Sequence, residues 1–244
     1  MNRLDLRSES GYTLIELMIA TVLGLIVATA TLAIVISSVH LTASTSDRVD
    51  ATQEGRIAMQ KITQALESSC VSPALPPILP NTVDPANTVS SVSDANDVWF
   101  YSSLSDGATI NPNLVGVSLS GGSLVMKTYA YSPTSGSAPN WAFSTTPTNF
   151  TLLPYATNAT TSAGATLPVF AYYGYDSNDN LDTNLDPSGG LLTAATAATV
   201  AEVVINYQAM PSDGDSAAHL GSSFSDSVVL RLTPASGAST VPCS

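Results

Sequence analysis

Charge is what this chain has least of. Of its 244 residues only 11% are Asp, Glu, Lys or Arg, against about 25% in ordinary soluble domains. Ser, Thr, Ala, Asn and Pro take the vacated places, so the polar surface is mostly hydroxyl and amide, as is common in extracellular proteins. Positive charge is scarcer still: beyond Lys61 only Lys127 and Arg231 are basic, against thirteen acidic residues, and the formal net charge is −12. Such a body repels phosphate backbones, whose nonspecific attraction comes from Lys and Arg, so no direct nucleic-acid binding is expected. Cysteine is nearly absent. Cys70 and Cys243 are too few for a disulfide-rich scaffold and lack the spacing of a metal site. Proline is missing from the first 72 residues, with all fifteen falling from Pro73 onward, so nothing there forces a helix to stop. The chain also lacks an HExxH motif, a glycine-rich phosphate loop and a GxSxG elbow. The histidines offer little more: His40 lies in the apolar N-terminal region, and His219 sits in a Gly/Ser-rich stretch near Asp213 and Asp215. No enzyme is expected.

Set against these absences is Gly11-Tyr12-Thr13-Leu14-Ile15-Glu16-Leu17-Met18-Ile19-Ala20, which opens a run free of charged residues from Leu17 through Ser46. Leu17–Val39 spans 23 residues, about 35 Å as a helix, enough to cross a hydrocarbon core of roughly 30 Å. A secretory signal would have a shorter apolar core of about 7–15 residues and a cleavage site after it. Glu16 is the anomaly. A charge within a membrane-spanning helix costs roughly 2.5–3.5 kcal/mol at its centre on insertion scales, so this carboxylate needs a partner or a purpose. From Ser44 to Ser69, Ala51, Ala58, Ile62, Ala65 and Leu66 recur at helical steps. The pattern predicts one helix from about Thr13 to Glu67, on the order of 80 Å long, with Gly24 and Gly55 as its weak points.

The Gly-Tyr-Thr-Leu-Ile-Glu-Leu-Met-Ile-Ala stretch resembles the class III signal of type IV prepilins and of the pseudopilins of type II secretion. That resemblance implies a leader over residues 1–11, cut after Gly11 by a prepilin peptidase, and methylation of the new N-terminus at Tyr12. It also implies that Glu16 pairs with the N-terminal ammonium of a neighbouring subunit, which supplies the missing partner. Ser46–Ala51 and Gly55–Met59 are similar, more weakly, to PilW-type minor pilins and J-type minor pseudopilins. The implied function is structural: a minor subunit in a priming or near-tip position of a type IV pilus or secretion filament. Its implied partners are the peptidase, the major pilin, other minor pilins and the assembly platform. The chain would wait in the inner or cytoplasmic membrane through residues 17–39 of a helix over 12–70, with an extracytoplasmic body over 71–244. Tyr12 stands where Phe is commoner, Ser10 where a basic residue often is, and the leader has no net charge. A tip adhesin and a membrane-tethered exoenzyme are the competing classes.

Beyond Cys70, five prolines from Pro73 to Pro85 end the helix, and short β-like runs follow. These are Asp97–Ser103, Leu114–Leu119, Ser123–Tyr131, Phe150–Leu153, Val169–Tyr175, Ala201–Ala209 and Ser225–Leu232, with Gly121-Gly122 as a hairpin turn. The expected fold class is α+β and pilin-like: one antiparallel sheet laid on the second half of the long helix. Residues 132–140 and 155–166 read as loops, and Trp141 and Phe143 as either core strand or an exposed contact pair. If the body is exported, Cys70 and Cys243 can bridge; otherwise they are two unrelated thiols. A bridge would close a loop of more than 170 residues, worth about 5 kcal/mol at most in the chain-entropy model. Asp176, Asn178, Asn180 and Asp182 alternate like calcium ligands. Leu181 and Pro187, however, occupy the positions where an EF-hand needs Gly and Glu. A solvated turn is the plainer reading of that run, and calcium is the one cofactor it leaves open.

Overall fold

A computed structural model describes residues 12–70, 76–80, 82–83, 90–102, 112–132, 141–175, 180–185, 190–211 and 221–230. In chain order the elements are α1 (Leu14–Glu67), β1 (Thr82–Val83), β2 (Ser90–Ser91), β3 (Asp97–Ser102), β4 (Asn113–Ser120), β5 (Ser123–Tyr129) and β6 (Thr148–Leu153). They continue with β7 (Ala156–Thr157), β8 (Phe170–Tyr175), β9 (Leu181–Asn184), α2 (Ala194–Ala197), β10 (Glu202–Ala209) and β11 (Ser222–Val229). The fold is α+β, a long apolar N-terminal helix followed by an antiparallel β body.

The long helix runs unbroken for 54 residues, as the absence of proline allows. The chain divides into two compact units between Ser46 and Asp47, so about the last six turns of α1 belong with the β body rather than with the apolar span. In that part Ala51, Ala58, Ile62, Ala65 and Leu66 are buried, the stripe that the three- and four-residue spacing predicted, and Gly55 and Met59 are buried with them. Gly55 is needed for close approach. The ring of Phe224 lies over it, and a Cβ there would clash with the ring. Tyr207 stacks on Phe224, with centroids 5.5 Å apart, and its hydroxyl donates to the Gly55 carbonyl at 2.6 Å. Burial pushes the Tyr207 phenol upward, away from ionisation.

The body has two principal sheets where one was expected. The first is a meander, β3-β4-β5-β6; the second has the order β11-β10-β8-β9, with β7 on the end of β10. β1 and β2 form a separate pair. The β4–β5 hairpin turns on Gly121 and Gly122, both at positive φ (59° and 79°), which two-residue hairpins favour and which glycine alone adopts without strain. The β3 run Val-Trp-Phe-Tyr is apolar throughout because the first sheet is covered on both faces. Val98 and Phe100 join the main core with Ile62 and Leu66, while Trp99 and Tyr101 join a second cluster with Cys70, Leu79, Leu114, Trp141 and Phe143. Trp141 and Phe143 are therefore buried, each about 5% exposed, and both rings pack against Tyr101.

Several local expectations change. The last strand is Ser222–Val229 rather than Ser225–Leu232. Residues 155–166 include β7, which pairs with Gln208 and Ala209. Within the Asp/Asn run, where a solvated turn was expected, Leu181–Asn184 pairs with Tyr173–Tyr175 as strand β9; residues 176–179 lie outside the described residues. The two sheets meet at the Ser93–Asp97 turn. Asp94 Oδ1 accepts the N–H groups of Asn96 and Asp97 at 2.7 and 2.9 Å. Tyr172 from β8 donates its hydroxyl to the carbonyls of Asp94 and Asp97 at 3.0 Å, and Phe170 N–H bonds the Ala95 carbonyl.

Candidate functional site

The N-terminal residues to which sequence reasoning pointed fall at the start of α1, except Gly11, which lies outside the described residues. Thr13 ends the non-helical lead-in and Leu14 is the first helical residue. The Thr13 carbonyl accepts the N–H groups of Glu16 at 3.0 Å and Leu17 at 3.2 Å, and its Oγ1 takes a longer contact from Glu16 N–H at 3.4 Å. Thr-Leu-Ile-Glu is thus also a helix-start signature, a hydroxyl residue followed three positions later by glutamate. Glu16 stands in the first turn, where the exposed N–H groups and the helix dipole favour negative charge. This role was open to view in the sequence and was missed there. It is a local reason for Glu16 that coexists with an intermolecular one. Among the described residues Glu16 has no ion-pair partner, Tyr12 is 81% exposed, and Leu14 is 80% exposed.

From this turn the helix continues as a span long and apolar enough to cross a membrane. Its threonines do not spoil it. Thr21 donates its hydroxyl to the Met18 carbonyl, Thr29 to Ile26, Thr31 to Val27 and Ala28, and Thr42 to Ser38, all at 2.9–3.0 Å. Each of these threonine hydroxyls is satisfied within the helix, so none of the four is a stranded donor toward lipid or other apolar helices. The large apolar side chains from Leu17 to Val39 are half or more exposed in the isolated chain. They form an apolar surface on every side, in contrast to the one-sided stripe of residues 51–66.

The remaining candidates are separate from this turn. Cys70 closes the helix end, 1% exposed and disulfide-bonded, with its N–H on the Tyr101 carbonyl at 2.8 Å. Cys243 lies outside the described residues. Asp176 and Asn178 lie outside them too, and so does the Asp182 side chain. Asn180 is exposed, and the backbone of Asp182 belongs to strand β9. Among the described residues no cluster of three or more His, Cys, Asp or Glu could hold a metal ion. His40 is exposed on the helix, and His219 lies outside the described residues.

Among the described residues, the carboxylate with the most altered chemistry is one that sequence reasoning did not single out. Burial pushes Asp97 up to about 6, and the charge of Asp94 beside it acts in the same direction, against a smaller lowering by Lys127. Its place at the junction of the sheets ties its protonation to the stability of the body.

No curated protein matches the chain. The family model of the prokaryotic N-terminal methylation motif matches residues 6–32, a segment that contains the glycine before Tyr12, the Thr13 cap, Glu16 and the first half of the apolar span. The motif implies processing by prepilin peptidase. Helix, cap, carboxylate and motif together support a prepilin-type protein of the type IV pilin-like kind.

Proposed function

We propose that this chain is a minor pilin or pseudopilin, similar to the PilW type and the J type, and serves as a structural subunit of a type IV pilus or type II secretion-like filament. The observation that carries the reading is the two-part character of a single helix. Its first part offers an apolar surface all round and a carboxylate in its first turn; its last part is the spine of a folded body. A membrane anchor alone would need Glu16 only as a helix-start residue, and a soluble domain would have no use for residues 17–39.

On this reading the chain is held in the inner membrane by the apolar span with the body outside. Prepilin peptidase cuts after Gly11 and the new N-terminus at Tyr12 is methylated. The apolar surface then exchanges lipid for the helices of other pilins. Glu16, with its partner amine on a neighbouring chain, fixes the axial register, because stranding one half of such a pair in an apolar medium costs about 3–5 kcal/mol. The large body, with its uncharged Ser-, Thr-, Pro- and Gly-rich stretches, suits a priming or near-tip position better than one repeated along the filament. No catalytic role and no cofactor are assigned.

The test is Glu16→Ala combined with mass analysis of the mature chain. The mature protein should begin at N-methylated Tyr12 in both forms. The variant should remain in the membrane while filament number or secretion falls sharply. A mature chain with any other N-terminus, or normal filaments without Glu16, would remove this reading.

A further inference from the structure

β11 is the terminal strand of the second sheet. It pairs with β10 at every residue from Ser222 to Val229 without a register shift, and no described strand lies on its other side. The Ser227 N–H is bonded by Asp226 Oδ1 at 2.9 Å, so it points away from β10 and takes the adjacent side chain in place of a neighbouring strand. By the alternation of an antiparallel ladder, the N–H groups of Ser223, Ser225 and Val229 face the same way. Exposed edges are usually blunted by lysine, proline or a bulge; β11 has none of these, and Asp226 is its single charge. The other edges differ. β3 receives the N–H groups of Cys70 and Leu79 on its Tyr101 and Trp99 carbonyls. β9 is short and carries a register shift, and β6 carries the Lys61 ammonium over Phe150.

Beside the open edge, between α1 and β11, runs a groove of about 460 Å³ lined by Arg56, Gln60, Gln64 and Glu67 of the helix and Phe224 and Asp226 of the strand. Its amides can both donate and accept. With one cation and two carboxylates it is net negative, on a chain of net charge −12.

We propose that this edge and groove receive an extended, positively charged segment of another polypeptide, added to the second sheet as a further strand. Main-chain bonds to β11 would supply the affinity, and alternate side chains would enter the groove. A second copy of this chain is a poor occupant. It would bring another Asp226 to the same edge, between two bodies of like charge.

The test uses the full chain in detergent micelles and a fluorescent peptide of alternating threonine and valine flanked by lysines. Saturable binding is expected. Ser227→Pro should weaken it about tenfold with an unchanged unfolding midpoint, because that N–H is outside the β10 ladder and proline is tolerated on an edge. An N-methylated version of the peptide should lose binding to a similar extent, which gives the same answer without altering the protein. Replacing the flanking lysines by glutamates should also weaken binding. Equal binding by the N-methylated or glutamate-flanked peptide overturns the proposal. So does self-association of the chain that Ser227→Pro abolishes, which would make a second copy the occupant. Peptide binding that emerges only when residues 231–242 are replaced by a Gly/Ser linker of the same length, which keeps Cys243, would assign the edge to the chain's own C-terminal segment and overturn the proposal.

Discussion

The two parts of α1 share one secondary structure and differ in almost everything that holds it. Residues 47–67 are helical and amphipathic, and their buried stripe is part of the main core. Tertiary packing would order that part even if its intrinsic propensity were modest. The stretch before Ser46 buries almost nothing within the chain, and its helical hydrogen bonds and returned threonine hydroxyls are all it has. In water such a helix would be an aggregation hazard, whereas in lipid or among other apolar helices it is the natural state of the backbone. Continuity of one helix therefore does not imply one source of stability. The boundary near Ser46 and Asp47 marks where the surroundings take over from the chain itself.

Matched substitutions in the two parts test this contrast. The largest effect is expected from Ile62→Ala, which empties a fully buried site and should destabilise the body by about 2–5 kcal/mol. Ile26→Ala, at a residue 56% exposed, should leave the body's unfolding unchanged. Tryptophan fluorescence during denaturant unfolding in micelles reports both, since Trp99 and Trp141 lie in the body. Equal effects of the two substitutions would contradict the division. A somewhat smaller effect is expected at the glycines. Gly55→Ala must displace the Phe224 ring and should cost about 1–3 kcal/mol, while Gly24→Ala meets nothing within 4 Å and should be silent in the same assay.

The smallest effect concerns pH and the body alone. Because the folded state holds Asp97 at about 6, above its ordinary 3.8, the folded chain binds a proton more tightly than the unfolded one. Asp97 therefore makes stability fall as pH rises from about 4 to 6, with no further change from this group above that window. Asp97→Asn should flatten that slope and unfold later than the parent at neutral pH. A parent whose stability rises steadily across the window because of Asp97 would overturn the assignment.

Much of this molecule was legible in the sequence, and the illegible parts share a cause. The helix from Thr13 to Glu67 was readable because proline is excluded and the apolar spacing is strong. β3, β4 and β5 were readable because their apolar runs are long and the glycine pair between Leu119 and Leu124 is a specific turn signal. β9 was hidden because Asp182 and its neighbours have turn chemistry, and the pairing with β8 overrides it. The division into two sheets was hidden because it depends on Ser93–Asp97 meeting Phe170 and Tyr172, a long-range arrangement with no local signature. The N-terminal site was legible as a pattern, whereas the partner proposed for Glu16 would belong to another molecule and leave no trace in a single chain.

Within the body, α1 is fastened at two places, and the order in which they come along the helix has a mechanical meaning. Thr52 bonds Ser222 at 2.7 Å and Gly55 takes the Tyr207 hydroxyl, both from the second sheet. Ser68 bonds Ser102 at 2.7 Å and Cys70 bonds Tyr101, both from the first. A pull applied to the helix from its N-terminal side enters the body through the second sheet and reaches the first only after the load has passed Gly55. The Thr52–Ser222 bond is the first fastening to yield or hold, the tyrosine–glycine contact is the next, and the disulfide-bonded Cys70 is the last.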